Sequence, residues 1–356
     1  MSARHADIPV RRLRTHRLAG EAFASVEDAV ATQLAVQAQD YLGALWGVGQ
    51  RVHGADEAMI ERALADRRIV RSWPLRGTLH FVAADDLRWL LALAAPRTLQ
   101  RQKRRLQQDF ELDERVVERA REVCRRALGG GRALARDALY AQFDAAGIAT
   151  AASRGLHLVW WLAHEGTLCF GARAGKQQTF VLLDDWLAPA PAVAREDALA
   201  ELARRYFASR GPASVQDFAW WSGLAAADAA AAHESVHAEL ASERIDGVEY
   251  WHAAATFVAG EGARVHLLPA WDEYTVAYRE RGAFLDAAQA GRAGNGIFKP
   301  VLLVDGRIAG TWKRTLAKSG VEVEADWFVE PKAAVRNAFD AAVARYAGFL
   351  GLPRIA

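Results

Sequence analysis

The sequence predicts an α+β fold, mainly helical, from three observations. A pattern of two or three short helices, a turn and a two-stranded hairpin recurs, loosely, three times. From about residue 264 the texture changes to β-rich runs closed by one helix. A 356-residue chain with 52% hydrophobic and 25% charged residues has the balance of a globular protein and the length for several cores.

In the first copy, VEDAVATQLAVQAQ (26–39) and DEAMIERALADRR (56–68) place apolar residues at helical spacing. IVRSWPLRGTLHFVA (69–83) then reads as two strands broken at Arg76-Gly77. The second copy runs through DERVVERAREVCRRAL, ARDALYAQFDAAG and SRGLHLVWWLAHEG to the strand-turn-strand TLCFGARAGKQQTFVLL. The third has EDALAELARRYFASRG, SVQDFAWWSG with Ser214 as N-cap and Ser222-Gly223 at a turn, and AAADAAAAHESVHAELAS. Its hairpin turns at Asp246-Gly247, a strong short-range signal. Three helices and a hairpin are the order of a winged helix, a DNA-docking variant of the helix-turn-helix. Tandem copies favour nucleic-acid contact, with protein scaffolding as the plainer reading.

The remainder reads as a small β-rich domain. VHLLPAWDEYTVAY, KPVLLVDGRIAGTWKRTL and VEVEADWFVEP are strand-like, with Asp305-Gly306 at a turn, and AAVRNAFDAAVARYAGFL is a closing helix. PAPAVARED (189–197) is the clearest linker. The expected partition is a first winged helix with an N-terminal arm over 1–110, a second over 111–190, a third over 191–263 and the β-domain over 264–356.

Net charge of +2 with a pI near 8.6 decides nothing alone, so clustering matters more. Arg11, Arg12, Arg14 and Arg17 form one basic cluster, and Arg101, Lys103, Arg104 and Arg105 another. Each is either a DNA-contacting surface or a solvated helix face. Two cysteines make no disulfide framework and lack metal spacing. No apolar run approaches the length of a membrane span, and residues 1–25 lack the apolar core of a signal peptide, so a cytoplasmic protein is expected.

Four stretches taken together resemble the winged-helix DNA glycosylases of the AlkZ/YcaQ type. They are VQAQD (36–40), RGTLH (76–80), LLPAWDEYTVAYRER (267–281) and GTWKR (310–314). The resemblance spans essentially the whole chain and implies a C-shaped stack of three winged helices with a C-terminal β-domain. It also implies removal of alkylated purines, with interstrand-crosslink unhooking in some members. Family members carry either Gln-x-Gln or Gln-x-Asp; this chain reads Gln37-Ala38-Gln39, matching the first. The implied partner is double-stranded DNA containing alkylated purines, bound by a monomer, with no membrane, metal or other cofactor. The rival is a non-catalytic winged-helix regulator, which would bind palindromic sites as a dimer.

Chemistry gives the glutamines a reason. A purine already cationic from alkylation leaves as a neutral base and needs no general acid. Two carboxamide oxygens can then orient water and turn negative dipole ends toward the developing sugar cation. In a regular helix positions i and i+2 are about 200° apart, so convergence requires the helix to end or distort near Ala38. Without the resemblance, the same two glutamines read as surface polar residues. Asp40 is either a general base or a cap for the following turn. Thr78 and His80 either line a cleft beside the glutamines or belong to the core. Asp272 and Glu273 either face the same cavity or pair with Arg279 and Arg281, and pairing is expected for at least one. Trp312, Lys313 and Arg314 combine an aromatic plane with two cations, suited to DNA contact. The pairs Trp160-Trp161 and Trp220-Trp221 are expected in the core.

Overall fold

The computed structural model describes residues 3–253 and 264–355. It is α+β, and it divides into two compact units: one of Met1–Ile60 with Leu199–Ala356, the other Glu61–Ala198. The boundary expected at residue 263 lies outside the described residues.

The helix-helix-helix-hairpin order is present three times along the chain. Helices Val26–Gln33, Tyr41–Gly49 and Glu57–Ala65 precede strands Ile69–Leu75 and Thr78–Ala83. Helices Glu114–Leu128, Arg136–Ala145 and Arg154–His164 precede strands Leu168–Phe170 and Thr179–Leu182. Helices Arg195–Arg210, Val215–Ser222 and Ala226–Glu234 precede strands Leu240–Ile245 and Val248–Ala253. The expected turns stand where turn chemistry put them. Arg76-Gly77, Asp246-Gly247 and Asp305-Gly306 all hold positive φ at both residues, the two-residue hairpin geometry that matches strand twist. Ser214 caps its helix reciprocally with Asp217.

Three expected elements are shorter than their patterns. The helix read over 26–39 stops at Gln33, and Val36–Gln37 is extended. The last helix of the third copy stops at Glu234, and the strand begins at Leu240. In the β-rich region the first strand is only Val265–Leu268, and Glu273–Val276 is a helical turn capped by Asp272.

In the first unit, strands Val265–Leu268, Val301–Val304, Arg307–Ala317 and Gly320–Trp327 form an antiparallel sheet in sequential order. Helix Ala333–Phe349 closes on it, with Tyr346 edge-on to Trp312 at 5.3 Å and to Trp46 at 5.0 Å. A second aromatic cluster joins Tyr206, Phe207, Phe218 and Trp221. In the second unit, strands Thr78–Ala83, Ile69–Leu75, Leu168–Phe170, Thr179–Leu182 and Leu134–Ala135 lie antiparallel in that order. Leu106, Val117, Leu139, Phe143, Leu158 and Leu162 pack the core of that unit. Among the described residues no helix is long and apolar enough to cross a membrane.

Candidate active site

Helix Val26–Gln33 begins as its sequence dictates, with Ser25 accepting from the Asp28 N–H. Its end is set from outside. Arg210 Nη2 donates to the carbonyls of Gln33, at 2.8 Å, and Ala35, at 3.2 Å, so terminal carbonyls gain a buried partner. Leu34 turns the chain with φ 62°. Beyond it Val36 and Ala38 are buried at 5% and 0% exposure, whereas Gln37 is half-buried and Gln39 exposed. Val36–Gln37 is extended and Gln39 lies in a bend, so the pair does not sit on a regular helix. The angular objection to a helical pair is thereby removed.

Gln37 is held by its backbone. Its N–H donates to Glu273 Oε1 at 2.9 Å, while Glu273 Oε2 accepts from Arg210 Nη2 at 2.6 Å and from Trp221 Nε1 at 2.9 Å. Its side-chain oxygen Oε1 is buried and accepts no hydrogen bond from the described residues. A carboxamide oxygen has accepting capacity to spare, and this one meets a ligand or a water only once its surroundings open. Asp40 stands at the N-cap position of helix Tyr41–Gly49 but makes no side-chain capping bond. Its carboxylate instead lies against Gly43, where an added Cβ would come within 2.5 Å of Oδ2.

Asp272 and Glu273 correct an expectation. Neither pairs with Arg279 or Arg281. Asp272 takes Arg51 in a two-bond fork at 2.7 and 2.9 Å, and Glu273 takes Arg210. The cause is the helical turn Glu273–Val276, which directs both acids inward while Arg279 stays exposed. Arg51, Arg210 and Trp221 carry no signal in the sequence that marks them for this site. Arg210 ends a helix already rich in charge and Arg51 follows an apolar one, and no local pattern marks either arginine for burial. His16 sits among these cations with Nε2 2.8 Å from Tyr278 Oη. Burial first, then Arg51, Arg210 and Arg12, hold the His16 imidazole well below its ordinary range, and thus neutral.

Residues 30–349 match the family model described as DNA glycosylase AlkZ-like. The chain belongs to the AlkZ-like DNA glycosylase family. This AlkZ-like chain is 25% identical over 310 residues to the interstrand DNA cross-link repair glycosylase of Streptomyces sahachiroi, covering 81% of the present chain and 82% of that protein. The structure of the Streptomyces sahachiroi DNA glycosylase AlkZ superposes with a TM-score of 0.76 at 22% identity, over the full length of both chains. At that identity the likeness speaks for the α+β fold.

The remaining expected positions of this AlkZ-like chain divide by burial. Arg12 is 1% exposed: its Nε donates to Pro212 O at 2.9 Å, its guanidinium lies 3.4 Å from the Tyr278 ring centroid, and Asp217 stands 3.8 Å away. Trp312 is 6% exposed and donates to Leu268 O. Both are therefore core residues and not DNA contacts, because a buried cation and indole find their partners inside the fold. Arg14 is half-buried. Lys313 is exposed and pairs across the hairpin with Glu324 at 2.9 Å, and Arg314 bonds Tyr346 Oη. Arg101 and Arg104 are exposed on helix Ala84–Phe110, where Lys103 pairs with Glu114. Thr78 and His80 belong to the second unit; His80 is buried, with Nδ1 2.9 Å from Thr78 O, and Thr78 Oγ1 donates to Leu75 O. Of the tryptophan pairs, Trp161 and Trp221 are buried, Trp160 is half-buried and Trp220 is 47% exposed. Neighbours on a helix lie about 100° apart, so one core face rarely takes both.

Proposed function

We propose that this chain is a monofunctional DNA glycosylase that excises cationic N-alkylated purines from duplex DNA, with Gln37 and Gln39 holding the attacking water. The observation that carries the reading is the release of the glutamine pair from the helix: Val36–Gln37 is extended, Gln39 lies in a bend, and Gln37 Oε1 accepts no hydrogen bond from the described residues. General-acid catalysis, typically worth about 10²–10⁴-fold, is dispensable when the leaving base already carries positive charge. The carboxamide oxygens then accept from the water and oppose the positive charge growing on the sugar. Flipping a damaged base is cheaper than flipping an intact one, which adds selectivity.

The same reading takes the three helix-helix-hairpin copies as winged helices over 1–110, 111–190 and 191–263, followed by the β-domain 264–356, in a C-shaped monomer. Acceptance of interstrand crosslinks belongs with it, supported by the activity for which the Streptomyces relative is named.

The test is release of N7-methylguanine from a defined duplex, followed by alkaline cleavage at the abasic site. Gln37→Ala and Gln39→Ala are expected to lose most of the release while keeping duplex affinity. Equal release by all three proteins removes the glutamines from the chemistry. Absence of release from any alkylated duplex, with retained binding, leaves a non-catalytic DNA binder.

A further inference from the structure

We infer that Glu273 is a positioning residue for the glutamine pair, acting with Arg210; the inference rests on the role proposed for Gln37 and Gln39. The geometry is specific. Were helix Val26–Gln33 to continue, the Gln37 N–H would donate to the Gln33 carbonyl, four residues back. Those two groups are both engaged elsewhere: Gln33 O by Arg210 at 2.8 Å and by the Ala35 N–H at 2.7 Å, and Gln37 N–H by Glu273 at 2.9 Å. The acid and the guanidinium are themselves joined at 2.6 Å, with both side chains at 0% exposure. The ion pair thus stands in place of one helical hydrogen bond and holds Val36–Gln37 extended. In a helix the two carboxamides would point about 200° apart; off the helix that constraint is lifted.

Only a carboxylate fills this position. Both of its oxygens accept, and here both are used, Oε1 toward Gln37 and Oε2 toward Arg210 and Trp221. A glutamine at 273 has one accepting end. Arg210, the charged donor, claims it, and an NH₂ group then faces the Gln37 N–H, donor to donor. Glu273→Gln is therefore nearly isosteric and still releases Gln37. Glu273→Asp keeps the charge and loses the reach to serve both sides.

Both variants are made in the full chain, with Gln37→Ala and Gln39→Ala alongside. Single-turnover release of N7-methylguanine at saturating enzyme, duplex affinity, melting temperature and the backbone amide resonance of Gln37 are measured. Glu273→Gln is expected to slow release by roughly ten- to a hundred-fold, leave duplex affinity within about two-fold, and move the Gln37 amide proton upfield with faster exchange. If one variant does not fold, the other gives the same readouts. A lowered melting temperature with an unchanged Gln37 amide and an unchanged rate per folded molecule overturns the inference. Full activity in Gln37→Ala and Gln39→Ala defeats the catalytic role instead, and the amide resonance still tests the positioning separately.

Discussion

Glu273 Oε1 accepts the backbone N–H of Gln37 at 2.9 Å, across 236 positions of sequence. The bond places a charged, buried residue of the PAWDEY stretch directly behind the glutamine motif. It holds Gln37 through the main chain, while the carboxamide oxygen accepts no hydrogen bond from the described residues.

Glutamine does not titrate, so the release rate per folded molecule is expected to be flat down through the ordinary carboxylate range. Single-turnover release followed between about pH 3.5 and 8, with circular dichroism at each pH, checks this. An acid-side loss of rate that Asp40→Asn abolishes would make Asp40 the general base.

Stability itself is expected to fall with acid. Burial first, then Arg345, Arg51 and Arg264, lower His266 from 6.5 to about 4. The unfolded histidine takes up its proton as pH drops through 6.5 and the folded one only near 4. The contribution is thus complete above 6.5 and is lost on descending to about 4. Its size is on the order of 3 kcal/mol. His16 acts in the same direction. Urea unfolding of the wild type and of His266→Gln across this window should show a flatter curve for the variant.

Arg51→Met is expected to destabilise the chain by roughly 3–5 kcal/mol, because Asp272 would remain charged and buried without its fork. Chemical denaturation measures this directly. A loss under about 1 kcal/mol would mean that Asp272 finds another donor or reaches solvent at little cost.

The exposed cations supply a different expectation. Arg101→Ala with Arg104→Ala should weaken duplex binding. The slope of log affinity against log salt should also become shallower, by up to about 0.9 for each phosphate that is no longer neutralised. An unchanged slope assigns that helix face to solvent. Trp312→Ala, by contrast, is expected to cost roughly 3–5 kcal/mol of stability, since its ring packs on Tyr346 inside the core.

Much of the fold is legible in the sequence because its signals are short-ranged. Asp246-Gly247 and Asp305-Gly306 demand positive φ whatever surrounds them, and Ser214 caps a helix using groups three residues away. The helix end at Gln33 is not legible. Periodicity runs smoothly through residue 39, and the interruption comes from Arg210 and Glu273. The acids at 272 and 273 stand out in the sequence, but local spacing points them to cations nine or fewer residues away. Their partners are the distant Arg51 and Arg210.

The sequence by itself determined the order of elements, the turns between them and the presence of a glutamine pair, since each depends on groups within one helical turn or one hairpin. Tertiary structure alone decided which charges go inside. The basic run at 11–17 and the one at 101–105 look alike, yet Arg12 is buried against Tyr278 while Arg101 and Arg104 face solvent. It also decided that the helix ends at Gln33 and that Val36–Gln37 is extended. Burying a charge is favourable only where a partner is already in place, and here the charged partners arrive from as far as 221 residues along the chain.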